Sequence, residues 1–148
     1  MRILAVDFGE RRLGLAVSDP TGLIARTWGI VERSSDLQAA RRVAEVAGEL
    51  GAGTILLGLP STQGGVTETP ENEGFQARRV RHFGNILAEE CRLEITYVDE
   101  SMTSADAAGL LFARGERRSR RRRPVDAIAA AIFLQAYLDG LSARTMRE

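Results

Sequence analysis

Three carboxylate positions and one run of arginines are the residues whose types and spacing could do chemistry. Asp7 ends the apolar run Ile3 to Val6, and Gly9 follows closely, so the backbone past the carboxylate can approach a ligand. Asp99 and Glu100 close the stretch LEITYVDE, and Asp126 heads the almost wholly apolar segment VDAIAAAIF. Taken singly, such carboxylates are turn formers or first-turn acids stabilised by a helix dipole. Gathered in one site they repel, and a divalent cation offsets that repulsion directly. Carboxylate and water oxygens suit Mg2+ or Mn2+ and leave coordination places for phosphate oxygens, whereas one His and one Cys are too few for zinc. Two such ions roughly 3.5 to 4 Å apart can activate a water and stabilise the leaving oxygen of a phosphodiester. The residues just before Asp126 suit that substrate: Arg117, Arg118, Arg120, Arg121, Arg122 and Arg123 concentrate positive charge, and guanidinium matches phosphate bidentately.

The elements that must position these groups follow from periodicity. Residues 2 to 8 and 12 to 18 are short β-prone runs joined by a tight connection, and Asp19-Pro20-Thr21-Gly22 is a turn into a third run, 23 to 31. Three strands with tight connections make an antiparallel meander. The period then changes: Ser34 or Ser35 can cap a helix carrying Leu37, Ala40, Val43, Ala47 and Leu50, which Gly51 and Gly53 end. TILLGLP reads as a strand buried on both faces, and residues 60 to 74 as a long loop. A helix from about 74 to 91, a strand at LEITYVDE, a helix at TSADAAGLLFA and a last helix from 124 to 138 complete the order βββ-α-β-α-β-α-α. That order predicts an α/β protein with one mixed five-stranded sheet and helices on both faces. Ligands in open α/β sheets gather beyond the carboxyl ends of strands, which is where Asp7 and the Asp99-Glu100 pair fall. Asp99 and Glu100 point to opposite sides of their strand, so one of them at most shares a face with Asp7.

Composition bounds the rest. The 148 residues are the size of one domain, expected over 1 to 140 with a flexible tail over 141 to 148. With 44 % apolar and 27 % charged residues and no apolar run near the ~20 needed to span a bilayer, no membrane role is expected. The lone Cys91 excludes an intrachain disulfide and fits a reducing compartment. Formal net charge is zero, so attraction to nucleic acid must be local. His82, beside Arg78 and Arg81, is expected on a solvated helix face, and Trp28 in strand packing.

The motifs DFGERRLGLAVSD, GLP before a glycine-bearing loop, DESMTS and RRRPVDAIAAAIFL, in this order and spacing, resemble the YqgF family, also called RuvX or Holliday-junction-resolvase-like proteins, across residues 1 to about 140. The resemblance implies a ribonuclease-H-like fold and a metal-dependent nuclease acting on the precursor of small-subunit ribosomal RNA in the cytoplasm, with two Mg2+ or Mn2+ ions. It also implies catalytic carboxylates at Asp7, Glu100 and Asp126. In that reading Asp7 binds or bridges the metals, Glu100 completes the cation site and orients water, and Asp126 holds the far side of a metal. The choice of Glu100 over Asp99 rests on the resemblance. The chain departs from the family at Ser101, where an arginine is common, and at Thr62 and Gly64, where Asn and Asp are common. These changes spare the carboxylates and bear on substrate positioning.

Three rivals stand beside this reading. DFGERRLG also resembles the phosphate-binding hairpin of sugar-kinase and actin-type ATPases, but those close two domains on the nucleotide and no Walker-type loop is present. A non-catalytic nucleic-acid-binding module would bind through the arginines, weaken with salt and need no metal. A nuclease for Holliday junctions or other structured DNA would favour a symmetric homodimer with two active sites.

Overall fold

The computed structural model describes residues 1–60, 74–99 and 125–147, with the side chains of the last segment described over 127–141. Residues 61–73 of the loop expected over 60 to 74, the helix expected at TSADAAGLLFA, Glu100 and the arginines between 117 and 123 lie outside the described residues. β1 (Arg2–Phe8), β2 (Arg12–Ser18) and β3 (Ala25–Glu32) form the antiparallel meander, and β4 (Ala52–Leu59) and β5 (Glu94–Asp99) run parallel to β1. The sheet order is β3-β2-β1-β4-β5, the mixed five-stranded sheet expected from the element order. Among the described residues the helices are α1 (Asp36–Leu50), α2 (Phe75–Cys91) and α3 (Val125–Arg147). None of them is long and apolar enough to cross a membrane.

Strand alternation divides the core into two layers. Leu4, Val6, Leu13, Leu15, Ile55 and Leu57 are buried against α1 and α2. Ile3, Ala5, Ala16, Ala25 and Leu56 are buried against α3 through Ala130, Ala131, Phe133, Leu134 and Leu138. Each fully buried leucine or phenylalanine contributes about 1.5–3 kcal/mol of burial, so the parity of each strand is strongly enforced. α1 begins and ends where its residues demand: the Ser35 hydroxyl accepts from the Gln38 amide at 3.1 Å, and Gly51 takes the left-handed conformation at φ 67°. Trp28 packs partly buried against the α1/α2 layer at a β-bulge next to Gly29, where φ is 151°, and Arg42 lies over its ring at 5.8 Å.

Two boundaries differ from expectation. β3 starts at Ala25 rather than Leu23, because the Asp19 carboxylate accepts from the amides of Leu23 and Ile24, both at 2.9 Å, and from the Thr21 hydroxyl. The turn therefore extends to residue 24. α3 runs past Leu138 to Arg147, so the expected tail is helical as far as that residue. Leu141 continues the stripe that packs on the sheet, and Gln135 donates to Asp139 at 3.0 Å one turn on.

The Asp19 turn carries a pH dependence. The Thr21 hydroxyl first, then the Ile24 and Leu23 amides, hold the Asp19 carboxyl well below the usual carboxylate range. The folded state thus favours the ionised form. Its contribution to stability is fully present above the unfolded carboxylate's pKa of about 4 and is lost as pH falls from there toward the lower folded value. Asp19→Asn is expected to lower the urea midpoint at pH 7, with the gap to wild type narrowing by pH 3.

Candidate active site

Asp7 is the penultimate residue of β1 and is half-buried. Ile3 and Ala5, spaced by two from it, lie in the α3 layer, so Asp7 faces that side of the sheet. Its antiparallel partner on β2 is Gly14, which puts no side chain beside the carboxylate. β4 and β5 run parallel to β1, so their carboxyl ends share the Asp7 edge.

α3 packs on the face of the sheet toward which Asp7 points. Gln135 is buried at the opposite edge, where its carboxamide accepts from the Ala25 amide and donates to the Leu23 carbonyl, both at 2.9 Å. Asp126 precedes Gln135 by nine residues, which along a helix is about 13 Å. Ile3 to Asp7 along β1 spans about the same distance, ~13 Å at strand rise. The equal lengths are compatible with a helix that starts over the end of β1 carrying Asp7. The backbone of Asp126 is in the first turn of α3, as expected.

Asp99 falls elsewhere. Ile95 and Tyr97 pack into the α1/α2 layer and Val98 into the α3 layer, so the strand period turns Asp99 away from the face that Asp7 occupies. Of the three expected carboxylates, Asp7 is the one whose side chain is described. Among the described residues no group of three or more His, Cys, Asp or Glu could hold a metal ion.

The turn behind Asp7 is held by side chains that the sequence did not single out. Gly9 is required there, because a Cβ would run into the carbonyl oxygen of Arg12. Arg33, at the junction of β3 and α1, donates from Nη1 to the Glu10 carbonyl at 2.6 Å and from Nε to Asp36 Oδ1 at 2.8 Å. Its backbone amide donates to the Arg11 carbonyl at 2.9 Å, and its guanidinium lies 5.3 Å from the Phe8 ring centroid. Arg79 of α2 pairs with Glu10 at 3.4 Å and lies 5.8 Å from the same ring. Helix α1, through Asp36, and helix α2 thus clamp the loop that fixes the end of β1. In sequence Arg33 is only a surface-type residue before a helix cap, and nothing marks its partner 23 residues upstream.

The chain matches the family described as "RuvX: Holliday junction resolvase" over residues 1–140. It is 37 % identical over 145 residues to an Agathobacter rectalis protein, covering 96 % of this chain and 97 % of that one. It is 33 % identical over 142 residues to a Clostridium botulinum protein, covering 96 % and 99 %. Both relatives carry the name "Putative pre-16S rRNA nuclease". Among solved structures, Thermus thermophilus RuvC in complex with a Holliday junction substrate aligns with TM-score 0.61 at 18 % identity over 96 % of both chains. The fowlpox virus resolvase in complex with junction DNA aligns with TM-score 0.54 at 15 % identity over 95 % of this chain and 99 % of that one. These likenesses establish the ribonuclease-H-like, resolvase-type fold, and with the family match over nearly the whole length the chain belongs to the RuvX family.

Proposed function

We propose that the chain is a divalent-metal-dependent nuclease that hydrolyses phosphodiester bonds in the precursor of small-subunit ribosomal RNA in the cytoplasm. One observation carries the reading: Asp7 lies at the carboxyl end of β1 and faces the layer in which α3 packs, and Asp126 stands in the first turn of that helix. The pre-16S rRNA nuclease names of relatives that cover almost the whole chain support the substrate.

The residues fit a hard cation. A half-buried carboxylate offers the hard oxygen donors that Mg2+ or Mn2+ requires, and its cross-strand neighbour Gly14 adds no side chain. Asp7, Glu100 and Asp126 would hold the metal, with Glu100 assigned over Asp99 because Asp99 lies on the opposite face. Bound there as a pair, the ions supply Lewis-acid polarisation of the phosphate and a water of lowered pKa. Asp7, fixed by the clamped turn behind it, keeps its carboxylate at the strand end without reorganisation. Arg117, Arg118 and Arg120 to Arg123 contact the phosphate backbone and position it.

The test offers the full chain a precursor rRNA fragment, the mature rRNA end and a four-way DNA junction, in Mn2+, Mg2+ or chelator. Cleavage of the precursor with either metal and none in chelator is expected. Preferred cleavage of the junction overturns the RNA assignment, and metal-independent binding without any cleavage overturns the enzyme. Replacing Arg120 to Arg123 by glutamine is expected to weaken binding and to flatten its log-log salt dependence by about 0.7 for each single-strand phosphate that is no longer neutralised.

A further inference from the structure

We infer that the first two turns of α2 form a second contact surface for the nucleic acid, one that takes a single-stranded segment leaving the Asp7 site. The inference rests on the nuclease reading above and extends it to a surface on the other face of the sheet.

Phe75 opens α2 with 71 % of its surface exposed, which is unusual for a phenylalanine. Positions 75, 78, 79 and 82 share one helix face by their spacing of three and four. They carry Phe75, Arg78, Arg79 and His82, and from Phe75 to Asn85 there is no acidic residue in a chain whose formal net charge is zero. Arg78 and His82 are exposed, and Arg79 lies 6.0 Å from the Phe75 ring centroid. An aromatic ring beside guanidinium groups is the chemistry that holds single strands: bases stack on the ring and phosphates take the cations.

Location connects this surface to the site. Arg79 reaches Glu10 in the turn that follows β1, so the stripe borders the carboxyl edge on which Asp7 sits. The acids nearby do not close it. Arg79 keeps Glu10 of the turn at 3.4 Å and His82 stands 3.9 Å from Asp36, and exposed Arg78 on the same face adds its charge for phosphate. A duplex offers no free base face to Phe75, whereas a single strand does. That selects a single-stranded segment as the occupant.

The test measures binding of a single-stranded RNA 16-mer and of its duplex by fluorescence anisotropy without metal, alongside cleavage with Mn2+. Phe75→Leu is expected to weaken single-strand binding roughly tenfold with an unchanged salt slope, while Phe75→Tyr retains it. Arg78→Gln is expected to lower the single-strand salt slope by about 0.7. Duplex binding is expected to be insensitive to Phe75→Leu. Equal loss on duplex and single strand overturns the stacking role. Variants that match wild type in binding while wild type still cuts overturn this surface and leave the nuclease intact. A wild type that neither binds nor cuts overturns the nuclease reading itself. Sedimentation that shows a dimer dissolved by Phe75→Leu assigns the surface to a second copy and overturns the inference.

Discussion

Asp7→Asn protein will bind substrate without metal at least as tightly as wild type and cut it with Mn2+ more than a hundredfold more slowly. Loss of a residue that merely orients a metal ligand costs about 10- to 100-fold, so loss of a direct ligand lies at or beyond ~100-fold. Asparagine keeps the shape of aspartate but removes the charge that holds a hard cation and repels phosphate. Binding and turnover therefore move in opposite directions. Single-turnover cleavage and anisotropy separate the two, and a thermal melt confirms that the variant is folded. Asp99→Asn is the matched control: it removes a carboxylate from a strand end at the same edge but on the α1/α2 face, and its cleavage rate should stay near wild type. Wild-type cleavage by Asp7→Asn would place the site elsewhere.

That contrast rests on what alternation could and could not reveal in advance. The period of two separates Asp99 from Glu100 in sequence, but it does not say which face looks toward Asp7. Only the packing of Ile95 and Tyr97 against one helix layer, and of Val98 against the other, settles where Asp99 goes. The meander was legible because its turns are local: Gly9 between β1 and β2, and Asp19 between β2 and β3. The start of β3 was less so, since the number of amides Asp19 captures depends on how the turn closes. The end of α3 was hidden for the complementary reason. Asp139-Gly140 looks like a local stop, yet Leu138 and Leu141 both pack on the sheet, and burial outweighs a glycine cost of about 1 kcal/mol. The Arg33 and Arg79 clamp on Glu10 was not legible, because its partners come from three elements and none has a spacing that announces the others.

The same clamp makes the largest stability effect a functional one. Phe83 of α2 is fully buried, and its ring meets that of Phe8 at 4.8 Å with a 33° tilt. Phe8 follows Asp7 directly, and Arg33 and Arg79 lie over its ring at 5.3 and 5.8 Å. Phe83→Ala removes the support beneath this stack and leaves a cavity between α2 and the sheet. The expected destabilisation is about 3–5 kcal/mol. For a domain of this size the melting temperature should fall by roughly 6–20 °C, with the urea midpoint falling at an unchanged m value. Phe75→Ala, which removes the same side chain from an exposed position on the same helix, should leave the melt unchanged. Well below its own transition, folded Phe83→Ala protein should still bind RNA but cut it more slowly, because the end of β1 is no longer held against α2. If its turnover equals that of wild type there, Phe83 supports the fold alone and Asp7 is held by the Arg33 clamp without it.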